Sequence, residues 1–120
     1  MSPERKQQQP PVFISTERRI ASRKTLRLRA AVRVPGRPTL QTNTLDISDG
    51  GVCVELPYML DIATECEIDI SLDACGTTHL MKLYGRVCYS VQMGERAYRT
   101  GMQFVRMRAE VAEQLATLLK

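Results

Sequence analysis

Leu26-Arg27-Leu28-Arg29-Ala30-Ala31-Val32-Arg33-Val34, then Pro35-Gly36-Arg37-Pro38, then Thr39-Leu40-Gln41-Thr42-Asn43-Thr44-Leu45-Asp46-Ile47 is the stretch that decides the fold. Leu26, Leu28, Ala30, Val32 and Val34 alternate with Arg27, Arg29 and Arg33, the period of a strand buried on one face only. Proline presets one backbone dihedral and glycine accepts a positive φ, so residues 35–38 read as a tight reversal. A second strand is expected over Thr39–Ile47. The resulting hairpin sets Leu26 opposite Ile47 and brings Arg23 beside Gly50, although the two segments are distant in sequence.

The same alternation continues outward from this hairpin. Val52, Val54 and Leu56 share one face of a third strand, and Ile68, Ile70 and Leu72 share one face of a fourth. Met81, Leu83, Gly85, Val87 and Tyr89 mark a longer fifth strand. Tyr98, Thr100, Met102 and Phe104 mark a sixth, beyond a loop at Met93-Gly94-Glu95. Val111, Leu115, Leu118 and Leu119 then recur at helical spacing, which predicts one amphipathic helix beginning near Arg108. Six short strands and a terminal helix suit an all-β domain, a six-stranded antiparallel β-barrel capped by a C-terminal α-helix, because closure removes sticky sheet edges. Met59, Met81, Met93 and Met102 are expected to fill or edge the core.

A chain of 120 residues, 43% hydrophobic and 25% charged, has room for one core and a tail. Residues 1–16, with Gln7-Gln8-Gln9 and Pro10-Pro11, read as a flexible polar tail; residues 17–120 read as the domain. No apolar run approaches the ~20 residues that span a bilayer, and Met1 to Pro11 is polar where a signal peptide would be apolar. A soluble, cytoplasmic protein without a membrane span is expected. Cys53, Cys66, Cys75 and Cys88 lack the close spacing of a metal or redox pair, so reduced and partly buried thiols are expected. Charge is unevenly divided. Residues 1–37 carry ten Lys/Arg against two Asp/Glu and residues 38–120 carry seven against eleven, so +8 and −4 compose the net +4. The basic end points at an anionic partner.

Two segments supply tools for holding a phosphorylated nucleotide. Arg18, Arg19 and Arg23 each present a planar fork of donors that matches two phosphate oxygens, and a flat face that stacks on a base. Asp46 and Ser48 bond their own turn or a ligand, while Gly50 and Gly51 let the backbone bend and approach closely. Exposed N–H groups in such a turn favour anions. Phosphate repels a carboxylate, so Asp46 is expected to accept from a guanine edge or to brace an arginine. Lys24, Arg27 and Arg29 read as outward strand charges.

Arg19-x-x-x-Arg23, preceded by Arg18, together with Asp46-x-Ser48-x-x-Gly51, resembles the paired signature of the PilZ family. Gly85-Arg86-Val87 and Tyr98-Arg99-Thr100-Gly101-Met102-Gln103-Phe104 are similar to its closing strands, so the likeness covers roughly Glu17 to Lys120. The resemblance implies a six-stranded barrel with a C-terminal helix that binds the bacterial second messenger cyclic di-GMP, as one molecule or as a dimer of it. It implies that Arg19 and Arg23, assisted by Arg18, clamp phosphates and stack on guanine. It further implies that Asp46 and Ser48 contact base or phosphate and that Gly51 shapes the turn. No catalytic or membrane domain is expected beside the barrel, so output to motility, exopolysaccharide or biofilm machinery is expected to run through a downstream protein partner.

Two other readings compete. A nucleic-acid-binding barrel fits the basic end, but Phe13 is the only aromatic ring there and stacking platforms interleave several. A protein-interaction adaptor with a vestigial ligand site is the other. His79 is the single histidine and reads as a surface or loop residue; with no second histidine or carboxylate pair, neither a catalytic constellation nor a cofactor or metal site can be assembled.

Overall fold

The structure is a computed structural model and describes residues 24–120 apart from Cys75. Six strands follow in order: β1 (Arg29–Arg33), β2 (Leu40–Ile47), β3 (Gly51–Leu56), β4 (Glu65–Ala74), β5 (Thr77–Gly94) and β6 (Ala97–Arg106), with helix α1 (Ala109–Leu118) after them. All pairings are antiparallel, and the ring β1-β2-β3-β6-β5-β4 closes because β1 also pairs with β4. The expected class, antiparallel strands with one C-terminal helix, is the one found. Among the described residues no helix is long and apolar enough to cross a membrane.

The hairpin that decides the fold forms as its sequence dictates. Gly36 takes φ +79° and the Arg37 amide donates to the Val34 carbonyl at 3.0 Å, a type II turn with proline and glycine at its two central positions. Its register differs from expectation. Val32 faces Leu40 and Arg29 faces Asn43, but Lys24, not Leu26, lies opposite Ile47. The ladder from Val32–Leu40 to Arg29–Asn43 already runs one residue off the expected register, and one more residue is lost at Thr44, which is fully buried. Its hydroxyl accepts from the Leu28 amide at 3.0 Å and donates to the Leu26 carbonyl, replacing regular rungs between Leu26 and Leu28. The regular ladder of β1 therefore begins at Arg29.

Inward side chains fill the barrel: Val32, Ile47, Val54, Ile68, Ile70, Met81 and Leu83 are all fully buried. Each contributes on the order of 1.5–3 kcal/mol relative to exposure. Met102 is buried as expected, whereas Met59 and Met93 stand exposed on the surface. From α1, Val111 and Leu115 pack against this core. The helix has no basic residue in its last turn. Lys24 supplies that charge, donating from Nζ to the carbonyls of Leu118 (3.3 Å) and Lys120. Lys24 is thus a clasp between the root of the N-terminal segment and the helix, rather than a plain outward charge.

The pairing shifts once between β2 and β3 and three times between β5 and β6, and two of these shifts re-aim side chains near the turn after β2. In β2 the pairing with β3 shifts between Thr44 and Asp46, so Thr44 and Ile47 both point inward and Asp46 points out. In β5 the pairing with β6 shifts between Val87 and Tyr89, so Val87 stays in the core while Tyr89 turns outward, contrary to the regular alternation read from the sequence.

Candidate functional site

Asp46-Ile47-Ser48-Asp49-Gly50-Gly51 forms the end of β2, its turn and the start of β3. Ser48 organises the turn. Its hydroxyl accepts from the amides of Gly50 and Gly51, both at 3.2 Å, and the Ser48 amide donates to the Gly51 carbonyl at 2.9 Å. Ser48 is 6% exposed, so its oxygen and these two N–H groups are spent inside the turn instead of being presented as an anion nest. The Gly50 carbonyl accepts from the Phe104 amide at 2.9 Å, tying the turn to β6.

The two glycines do different work. A Cβ on Gly51 would lie 2.3 Å from the Met102 carbonyl oxygen, so only glycine permits this approach of β3 to β6. A Cβ on Gly50 would meet nothing within 4 Å.

Directly paired residues share a face, and two adjacent rows cross four strands at this turn. Ile47, Val52, Met102 and Val87 make the inward row, all buried. Asp46, Cys53, Gly101 and Tyr89 make the outward row on β2, β3, β6 and β5. Within it Tyr89 reaches across Gly101, whose Cβ would sit 2.2 Å from the tyrosine ring, and its hydroxyl donates to Cys53 Sγ at 3.6 Å. Cys53 is consequently only 2% exposed although it faces outward. Burial first, then the bond to Cys53, then the charges of Cys53 and Asp46 push the Tyr89 phenol up to about 12, against a smaller lowering by Arg99.

The backbone of Lys24 is fastened beside the turn by two bonds, from its amide to the Ile47 carbonyl at 2.8 Å and from the Ile47 amide to its carbonyl at 2.9 Å. Arg18, Arg19 and Arg23 lie outside the described residues. The structure therefore brings Asp46, Ser48, Gly50 and Gly51 into one turn and anchors the residue following Arg23 next to it.

A sequence model of the PilZ domain matches residues 17–120. The chain belongs to the PilZ domain family. Solved structures agree in fold. The Bacillus subtilis inhibitor of motility MotI/DgrA superposes with a TM-score of 0.70 at 15% identity, covering 81% of this chain and 46% of that one. The PilZ domain of YcgR from Escherichia coli, determined with c-di-GMP, superposes with a TM-score of 0.61 at 16% identity, covering 81% and 85%. The PilZ domain of CeSA from a cellulose-synthesizing bacterium gives 0.54 at 16%, covering 81% and 93%. This PilZ domain thus spans about half the length of the B. subtilis protein. No curated protein matches the sequence.

Sequence reasoning missed the outward row. Strict alternation puts Tyr89 on the face of Val87, and the bulge turns it to the other face. The signal available was Gly101, an isolated glycine inside a strand pattern, which marks a place where something approaches the backbone closely.

Proposed function

We propose that this PilZ domain is a cytoplasmic cyclic di-GMP receptor that acts as an adaptor, with Arg18, Arg19, Arg23, Asp46, Ser48, Gly50 and Gly51 forming the ligand site. The observation that carries this reading is the pair of bonds between Lys24 and Ile47. They hold Lys24, the residue that follows Arg23 in the sequence, between Asp46 and Ser48. Guanidinium groups then clamp phosphate, and Asp46, turned outward by its bulge, accepts from a guanine edge. Ser48 and Gly51 act by fixing the turn, since the hydroxyl is already committed and the glycine is sterically required.

The receptor reading involves no catalysis. The arm from Met1 to Lys24 wraps onto the ligand, and the altered surface engages a downstream protein partner in motility, exopolysaccharide or biofilm control. Ordering an arm costs entropy, which the arginine contacts offset. Isothermal titration calorimetry with cyclic di-GMP, with GMP as control, tests the reading. Saturable binding that is lost in Arg23→Ala is expected and gives the stoichiometry. Absence of binding by the wild type overturns it and leaves a scaffold for protein or nucleic-acid contacts.

A further inference from the structure

Helix α1 packs against β5, and an open groove of about 540 Å³ runs between the helix and the β4–β5 hairpin. Leu72, Asp73, His79, Glu110, Glu113 and Leu118 line it. The two leucines, half-buried against the core, give it an apolar floor, and the three carboxylates give it a negative rim. Local groups offset little of that charge. The Thr78 hydroxyl donates to Asp73 at 2.7 Å, and Arg108 stands 3.7 Å from Glu110 with the two side chains 77% and 72% exposed, a pair that contributes little in water. The groove ends where the chain enters it. Leu118 lines it, and the Leu118 carbonyl accepts from Lys24 Nζ at 3.3 Å. Glu17-Arg18-Arg19-Ile20-Ala21-Ser22-Arg23 lies outside the described residues but joins them at Lys24, at the C-terminal end of the groove. From Leu118 back to Glu110 the helix advances about 12 Å, whereas the chain from Lys24 back to Arg19 extends up to roughly 17 Å. Both glutamates are within reach of the arginines.

We infer that in the nucleotide-free protein residues 17–23 lie in this groove, with Ile20 against its leucines and the arginines toward Asp73, Glu110 and Glu113. Three arginines against one glutamate make the segment complementary to the rim, and Ile20 between Arg19 and Arg23 suits an apolar floor. The same arginines clamp phosphate in the receptor reading, on which the next step rests. Groove and nucleotide then compete for them, so binding of cyclic di-GMP uncovers the groove. Exposed ion pairs suit a contact that must be given up, because each is weak alone and is outmatched by guanidinium bonds to phosphate.

Amide NMR spectra of the whole protein without nucleotide, wild type against Arg18→Gln/Arg19→Gln, test this. Docking predicts that the amides of Asp73, Glu113 and Thr117 shift in the variant, and that cyclic di-GMP moves the same amides of wild type in the same direction. Calorimetry supplies a second readout. Glu110→Gln/Glu113→Gln should bind cyclic di-GMP about three- to tenfold more tightly, since less of the arm is held away from the ligand. Glu65→Gln/Glu67→Gln, the same charge change placed on β4, should stay within about twofold of wild type. Groove amides unmoved by the arginine substitutions overturn the docking, leaving the groove to another molecule and the receptor reading intact. Equal tightening in the two glutamate variants also overturns it, as a plain charge effect. Groove amides that shift in the arginine variant of a protein that binds no cyclic di-GMP uphold the docking and overturn the receptor reading alone.

Discussion

Two outer faces of the barrel differ in the residues that they carry and in how those residues are held. On the face of β1, β4 and β5, Arg33 bonds Glu67 at 3.2 Å and Asp69 at 2.9 Å, Lys82 approaches Asp69 at 3.3 Å, and Arg86 bonds Glu65 at 2.9 Å. The bond to Asp69 holds the Arg33 guanidinium above its usual range. Every cation in this ladder already has a partner of opposite sign across a strand. On the face of β2, β3, β6 and the end of β5, the row is of another kind: Asp46, the covered thiol of Cys53, Gly101 and the ring of Tyr89, bordered by a register shift in β2 and one in β5. The first face satisfies itself. The second holds an aromatic ring that is 40% exposed.

The largest expected effect that sharpens this contrast concerns the turn feeding the second face. Gly51→Ala should lose about 1–3 kcal/mol in denaturant unfolding, because its methyl meets backbone rather than a movable side chain. Gly50→Ala, one residue earlier, should stay within about 0.5 kcal/mol of wild type. Equal effects at both glycines would refute the steric account of the turn.

Next comes the tyrosine titration. A late ionisation near pH 12 is expected, and that step should vanish in Tyr89→Phe. Since the folded value exceeds the ordinary value near 10, Tyr89 adds stability that is fully present below about pH 10 and is lost as pH rises towards 12. Solvent screening at a ring 40% exposed keeps that contribution small. The smallest effect belongs to the self-satisfied face: Arg33→Met should cost less than about 1 kcal/mol, with the loss shrinking in high salt, and should leave cyclic di-GMP affinity unchanged. A marked loss of affinity there would put ligand on the wrong face.

Much of this was legible in the sequence because the core obeys simple periods. Val32, Val54, Ile68, Ile70 and Leu83 sit where alternation places them, and Pro35-Gly36 turns as its residue types require. Four of the expected site residues, Asp46, Ser48, Gly50 and Gly51, form one turn, and three, Arg18, Arg19 and Arg23, lie outside the described residues. What the sequence hid were departures from period: the Thr44 hydroxyl standing in for backbone rungs, and the shifts at β2 and β5 that turn Asp46 and Tyr89 outward. A bulge is set by the strands on either side, so it has no signature in one strand read alone. The clasp of Lys24 on α1 escaped for the same reason, joining residues 94 positions apart.

Hydrogen exchange with and without cyclic di-GMP tests the central claim most directly, since it reads both faces in one experiment. The account predicts new protection in residues 17–24 and 46–51 and around Gly101, with Arg33, Glu67, Asp69 and Lys82 unchanged. Protection confined to the charged ladder of β1, β4 and β5, or no change anywhere under saturating ligand, would contradict it.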